Sequence, residues 1–237
     1  MKRPDWWPKA HRLDDTVRVL CLEVADWIKA RKPSNWCEYD LRKELVGCIL
    51  GSQVRHEMAS AATENLDRAG LLDDSWWSSG PSDGFATLVF EVLSGQRRDV
   101  PHKGAYRFAK TRTDQLTRIR RAFSALPLSA RLGRREDARH LRRQLVADIP
   151  GAGPKQASMF LRNIGASYDL AILDTHVLQF MSIQGDPRVD VAQVRTLSGY
   201  ERTEQALVRY ANTIGFPVGY IDWAIWATMK AARELHL

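Results

Sequence analysis

Only three of the 237 residues are cysteine, and no two of them form a Cys-x-x-Cys pair. That spacing excludes the usual cysteine frames for a structural zinc or an iron–sulfur cluster. An odd count, at Cys21, Cys37 and Cys48, also argues against a disulfide framework and for a reducing compartment, so a cytoplasmic, nucleoid-associated protein is expected. His102, His140 and His176 stand apart from any metal-ligand spacing, and no metal site is expected. No apolar run reaches the roughly 18–20 residues that a membrane span needs. The opening Met-Lys-Arg-Pro-Asp-Trp-Trp has no apolar core of the kind a secretion signal carries. Repeats, low-complexity tracts and convincing alternating strands are all missing. Acidic residues are in deficit: 28 Asp and Glu face 35 Lys and Arg, a net charge of +7. Most of that excess is arginine and suits a polyanionic partner.

What is present is helical patterning in a chain of ordinary globular composition, long enough for one domain or two small ones sharing a core. Val17, Leu20, Val24 and Ile28 recur at helical spacing, as do Leu41, Leu45 and Ile49, then Met58, Ala62 and Leu66. The one Asp-Gly pair, Asp83-Gly84, sits in a polar loop and not between two strand-like runs. Gly- and Pro-rich turns cut the chain into about ten or eleven helices, so the predicted class is all-α. The first 37 residues differ, with Trp6, Trp7, Trp27 and Trp36 set among basic residues. They predict a helical extension packed on the body by its tryptophans. An added nucleic-acid or partner contact is the alternative.

The segment 149–176 carries the chemistry. It reads Ile-Pro-Gly-Ala-Gly-Pro-Lys, a helical run, a turn, and Tyr-Asp-Leu-Ala-Ile-Leu-Asp-Thr-His. Before it, 134–147 has Ala138, Leu141 and Leu145 on one face. After it, 154–164 has Ala157, Phe160 and Leu161. Pro154 suits the first helical position, where its missing N–H costs nothing. Gly151 and Gly153 permit positive φ and close backbone approach. Open N–H groups at the hairpin and helix start form an anion site that fits one DNA phosphate. Lys155 then lies in the first turn of a helix, where it serves either as a nucleophilic amine or as a phosphate contact. Asp174 follows at the predicted N-cap of a helix over Thr175–Ile183. A carboxylate there can also stabilise the oxocarbenium-like charge that develops at a sugar as its base departs. His176 has two readings, a phosphate contact or a packed side chain.

These residues resemble the helix-hairpin-helix DNA glycosylase superfamily. Within it, the run 165–181 is most similar to the second class of 8-oxoguanine DNA glycosylase/AP lyases of archaea and bacteria. Looser support comes from Cys48-Ile-Leu-Gly-Ser-Gln53, Tyr106-Arg-Phe108 and Tyr220-Ile-Asp-Trp-Ala-Ile-Trp226. The likeness covers 38–237. It implies a two-lobed all-helical fold with the DNA cleft between lobes. The expected lobes are 38–55 with 175–237, and 56–174 carrying the hairpin 149–155. By the same resemblance Lys155 is the Schiff-base lysine and Asp174 the essential aspartate. Gln53 fills the gap left by an extruded nucleotide, and Phe108 and Trp226 sandwich the flipped base. Asp222, Trp226 and Lys230 lie four apart on one helix face, which puts Asp222 at the base pocket too. Ile221, Ile225, Met229 and Ala232 form a separate core stripe.

The implied reaction is excision of 8-oxoguanine, with β-elimination through a lysine imine. The implied partner is double-stranded DNA with a flipped damaged base, bound by a monomer. No cofactor is expected apart from a possible monovalent cation on the hairpin carbonyls. Expected DNA contacts are Gly151, Gly153, Gln53, His176 and Arg142. They belong to a basic surface of Lys110, Arg112, Arg118, Arg120 and Arg121 on one helix and Arg134, Arg135, Arg139, Arg142 and Arg143 on the next. One departure bears on the substrate: the class usually ends in a lysine that helps read the oxidised base, and this sequence ends Glu234-Leu-His-Leu237. A pocket retuned for another modified base or nucleobase, for instance in bacterial defence, is the alternative, and a non-catalytic DNA-binding protein is a second.

Overall fold

The structure, a computed structural model, describes residues 10–30, 35–78, 84–97, 105–132, 137–185 and 193–234. Among these are twelve α-helices, one 3₁₀ turn at Gln193–Arg195 and no strand. Trp6, Trp7, His102, Arg134, Arg135 and residues 235–237 lie outside them. No helix is long and apolar enough to cross a membrane.

The chain divides into two compact units, one of Asn35–Ala152 and one made of the N-terminal helix together with everything from Gly153 onward. This differs from the expected lobes. Residues 38–55 group with 56–152, and 153–174 group with the C-terminal helices. The reason lies in the helices themselves. The segment 38–50 is one helix whose buried face, Leu41, Leu45 and Ile49, packs within its own unit. The chain crosses from one unit to the other at 152/153, inside the glycine hairpin.

The discontinuous unit holds α1 (Ala10–Ala30), α9 (Pro154–Asn163), α10 (Thr175–Ile183), α11 (Leu197–Ile214) and α12 (Val218–Glu234). Leu13, Val17 and Cys21 of α1 join Phe180, Tyr200, Leu207 and Ile225 in a single core. The N-terminal helix is therefore built into the fold by a stripe of Leu13, Val17 and Cys21 at i, i+4 spacing, with Trp27 as a further contact. Trp27 stays 45% exposed and meets Trp223 of α12 edge to face at 4.8 Å. Burial pushes the Cys21 thiol up to about 12, so it is an inert core group. Where α12 starts, Gly219 is required: a Cβ there would stand 2.9 Å from the Tyr168 carbonyl oxygen, which accepts a hydrogen bond from Gly219 N–H.

The continuous unit holds α2 (Glu38–Leu50), α3 (His56–Arg68), α4 (Asp74–Trp77), α5 (Phe85–Ser94), α6 (Ala109–Ala125), α7 (Leu128–Leu132) and α8 (Ala138–Asp148). It contains a set of buried arginines. Arg42 donates to the Leu72 carbonyl and pairs with Asp74 at 2.6 Å. Arg120 donates to the Trp76 carbonyl, and Arg112 bridges the Gln115 side chain and the Ser52 carbonyl. Arg142 is fully buried. The expected phosphate-facing surface thus loses Arg112, Arg120 and Arg142, because each guanidinium lies inside its unit. Lys110, Arg118, Arg121 and Arg143 remain exposed, and Arg139 is half-buried. Truncating Arg142 to alanine is expected to cost about 2–4 kcal/mol of stability by opening the core. Arg118→Ala should stay within about 0.5 kcal/mol. Urea midpoints of the two variants test this, and equal midpoints would show that Arg142 is not structural.

Candidate active site

The hairpin is built as its residues dictate. Ile149 carbonyl accepts from Ala152 N–H at 3.0 Å, with Pro150 second and Gly151 third at φ +85°, the signature of a type II turn. Only Gly151 uses positive φ. Gly153 has φ −83° and serves as N-cap of α9, its carbonyl accepting from Ala157 N–H at 3.0 Å. The Gln115 side chain lies directly over Gly151, where an added Cβ would come within 2.5 Å of it. Pro154 takes the first position of α9 and Lys155 the second, half-buried, with the N–H groups of Lys155 and Gln156 lacking helical partners. Among the described residues no carboxylate is paired with the Lys155 ammonium. The carbonyls of Pro150, Gly151 and Ala152 lie outside the turn and helix bonds, neutral oxygens that suit a monovalent cation. Among the described residues no cluster of His, Cys, Asp and Glu could hold a metal ion.

Asp174 lies in the same unit as Lys155. Its Oδ1 caps α10 by accepting from Val177 N–H at 2.9 Å. Residues 170–173 before it are buried and outside any helix or strand, the Asp174 N–H donating to the Ile172 carbonyl at 2.9 Å, and no backbone carbonyl among the described residues takes the amides of 171–173. Three side chains do so instead. Glu204 Oε1 accepts from Ala171 N–H at 2.9 Å, Asp222 Oδ2 from Ile172 N–H at 2.7 Å, and Tyr200 Oη from Leu173 N–H at 3.0 Å. The Tyr200 hydroxyl in turn donates to the Ala171 carbonyl at 2.8 Å.

Asp222 has a second partner. Its Oδ1 accepts from Arg162 of α9 at 2.5 Å, and that guanidinium lies 4.6 Å over the Trp223 ring. Arg162 comes seven residues, about two turns, after Lys155, on the same side of α9. Asp222 therefore joins the helix of the lysine to the segment that ends in the aspartate. This corrects its expected place at the base pocket: it is 2% exposed, with both carboxylate oxygens engaged inside the protein. Burial pushes its carboxyl up to about 7, against the Arg162 charge and the Ile172 amide and with help from the Asp174 charge. A carboxyl that binds its proton more tightly folded than unfolded, where it ionises near pH 4, loses stability as pH rises through that interval. Wild-type stability relative to Asp222→Asn should therefore decline between about pH 4 and pH 7 and level off above, as read from urea midpoints. A difference constant over that range would refute the shift.

Of the other expected residues, His176 is on the first turn of α10. Among the described residues its buried Nδ1 has no hydrogen-bond partner, and burial lowers its pKa, as do Arg233 and Lys230, while Asp174 acts the other way. Trp226 is half-buried with the Lys230 ammonium 5.1 Å over its ring. In the other unit, Gln53 is exposed and is the one described non-glycine residue at positive φ, +63°. Its loop is fastened by Tyr106 Oη on the Leu50 carbonyl at 2.5 Å and by Arg112 on the Ser52 carbonyl at 3.1 Å. Phe108 follows, half-buried, with Arg107 and Arg112 over its ring at 5.0 and 5.8 Å. Sequence reasoning missed Tyr200, Glu204 and Arg162. Their signal is weak: polar residues on otherwise apolar helix faces, Tyr200 and Glu204 one turn apart.

Residues 84–216 match the sequence profile of the 8-oxoguanine DNA glycosylase family. An 8-oxoguanine DNA glycosylase/AP lyase of Thermoplasma acidophilum is 30% identical over 186 residues, 78% of each chain. The chain belongs to the 8-oxoguanine DNA glycosylase family. Its all-helical fold is that of family members of known structure. The 8-oxoguanine DNA glycosylase of Thermotoga maritima superposes with a TM-score of 0.70 at 24% identity, covering 92% of this chain and 95% of the other. The Methanocaldococcus jannaschii 8-oxoguanine glycosylase/lyase, in complex with a 15mer DNA containing 8-oxoguanine, has the same TM-score at 22% identity over 91% and 95%. Within the family profile fall the hairpin, Lys155 and Asp174. Asp222 and Trp226 lie beyond it.

Proposed function

We propose that this family member is a bifunctional 8-oxoguanine DNA N-glycosylase and AP lyase of base-excision repair. The observation that carries the reading is one unit holding a lysine at the start of α9, paired with no carboxylate among the described residues, and an aspartate capping α10, with the two segments joined through Arg162 and Asp222. The neutral Lys155 amine attacks C1′ of the damaged nucleotide. The bond from C1′ to the base breaks, and its electron pair leaves with the base, which takes up a proton. Asp174 stabilises the positive charge on the sugar while this bond is stretched. One Lys155 proton then passes to O4′ as the ring opens, leaving a protonated imine that acidifies C2′. Removal of a C2′ proton then expels the 3′ oxygen and nicks the strand.

The DNA itself is double-stranded, with the damaged base flipped out at a cost of a few kcal/mol. The Gly151 turn and the first amides of α9 hold one phosphate. In the unit of Asn35–Ala152, Gln53 is assigned to the vacated position and Phe108 to base stacking; in the other unit, His176 is assigned to a phosphate and Trp226 to base stacking. A monovalent cation on the Pro150, Gly151 and Ala152 carbonyls would add positive charge beside that phosphate. The protein acts as a monomer. The test is release of free base from duplexes carrying 8-oxoguanine or guanine, with binding followed against salt. Excision of 8-oxoguanine alone, with affinity falling steeply in salt, is expected. Release of a different modified base would keep the chemistry and change the substrate.

A further inference from the structure

We propose that Tyr200, Glu204 and Asp222 form a clamp that sets the position of Asp174 by binding the three consecutive amides of residues 171–173. The inference rests on Asp174 being the carboxylate of the reaction. Buried backbone outside helix and strand must still find a partner for each N–H. Each amide here has its own buried acceptor, at 2.9, 2.7 and 3.0 Å. Tyr200 and Glu204, one turn apart on α11, serve the first and third amides, while Asp222 on α12 serves the middle one from a different direction. With the Tyr200 hydroxyl also on the Ala171 carbonyl, four hydrogen bonds from α11 and α12 hold the segment. Asp174 is the next residue, so its carboxylate inherits that orientation. Asp222 links the same segment to α9 through Arg162, and so fixes the aspartate relative to the helix of Lys155. These three are positioning residues: each acts through backbone, and none needs to touch DNA.

The test is single-turnover base release by Tyr200→Phe, which keeps the ring and deletes only the hydroxyl, measured alone and combined with Asp174→Asn. The expected result is a loss of about 10- to 100-fold in the wild-type background, as for small misplacements of a catalytic group. Affinity for a duplex with a tetrahydrofuran abasic analogue should stay within about twofold. In the Asp174→Asn background Tyr200→Phe should cost nothing further, because the group it positions is already disabled. A loss of the same factor in both backgrounds, or no loss in either, overturns the clamp. An Asp174→Asn variant as fast as wild type overturns the reading of Asp174 itself, and the clamp with it. Glu204→Gln, which retains an acceptor oxygen, should recover most of the rate that Glu204→Leu loses. Equal rates for the two would count against Glu204 as an amide acceptor.

Discussion

Lys155→Gln is expected to abolish strand nicking at a preformed abasic site, by a factor of about 10³ or more, while leaving DNA affinity within about twofold. Glutamine has nearly the helix propensity of lysine, so α9 and its open N-terminal amides should persist. No carboxylate among the described residues depends on the Lys155 charge, so the substitution should leave stability within about 1 kcal/mol. What disappears is the only group here assigned to attack C1′. The comparison is sharp because binding and chemistry separate: the proposed anion site is made of backbone, and the proposed nucleophile is a side chain. Normal nicking by the glutamine variant would show that another amine forms the imine.

Asp174→Asn should slow base release by about 10²–10⁴-fold with little change in stability. Asparagine caps a helix about as well as aspartate, so the Val177 N–H keeps an acceptor. The negative charge proposed to stabilise the sugar does not survive the change. Asp174→Ala removes both, and should cost about 1 kcal/mol of stability in addition to the lost rate. The pair of variants therefore divides capping from catalysis. An asparagine variant with wild-type rate beside a slow, unstable alanine variant would reduce Asp174 to a cap. Single-turnover base release and urea midpoints, measured on both, decide between these outcomes.

The helical class, the hairpin and the cap at Asp174 were legible because each rests on local physics. Apolar residues at 3.6-residue spacing, Pro at the first helical position and Asp at an N-cap say nothing about distant parts of the chain and need nothing from them. The turn at Gly151 belongs to the same group. What composition could not reveal was which charges face water. Arg112, Arg120 and Arg142 lie on helices of basic character, yet each points into its unit, where guanidinium groups satisfy carbonyls and pack on rings. One-dimensional periodicity does not show a long polar side chain turning inward. Asp222 failed for a related reason. Its spacing from Trp226 was read correctly, but the side of α12 it occupies is buried, because Ile172 and Arg162 supply it with partners from 50 and 60 residues away. Tyr200 and Glu204 carried no motif at all, and their work is visible only once the side-chain acceptors of the 171–173 amides are traced. The division of the chain was also a matter of long-range packing: no local signal ties Leu13, Val17 and Cys21 to α12.

The central claim is that a lysine imine forms on an 8-oxoguanine nucleotide, and borohydride trapping tests it most directly. Protein would be mixed with labelled duplexes containing 8-oxoguanine opposite each base, a plain abasic site or undamaged guanine, then reduced and digested for mass spectrometry. The account predicts a covalent adduct with the 8-oxoguanine and abasic duplexes, mapped to the peptide containing Lys155, and none with guanine. No adduct on any duplex, or an adduct on a different lysine, would contradict it.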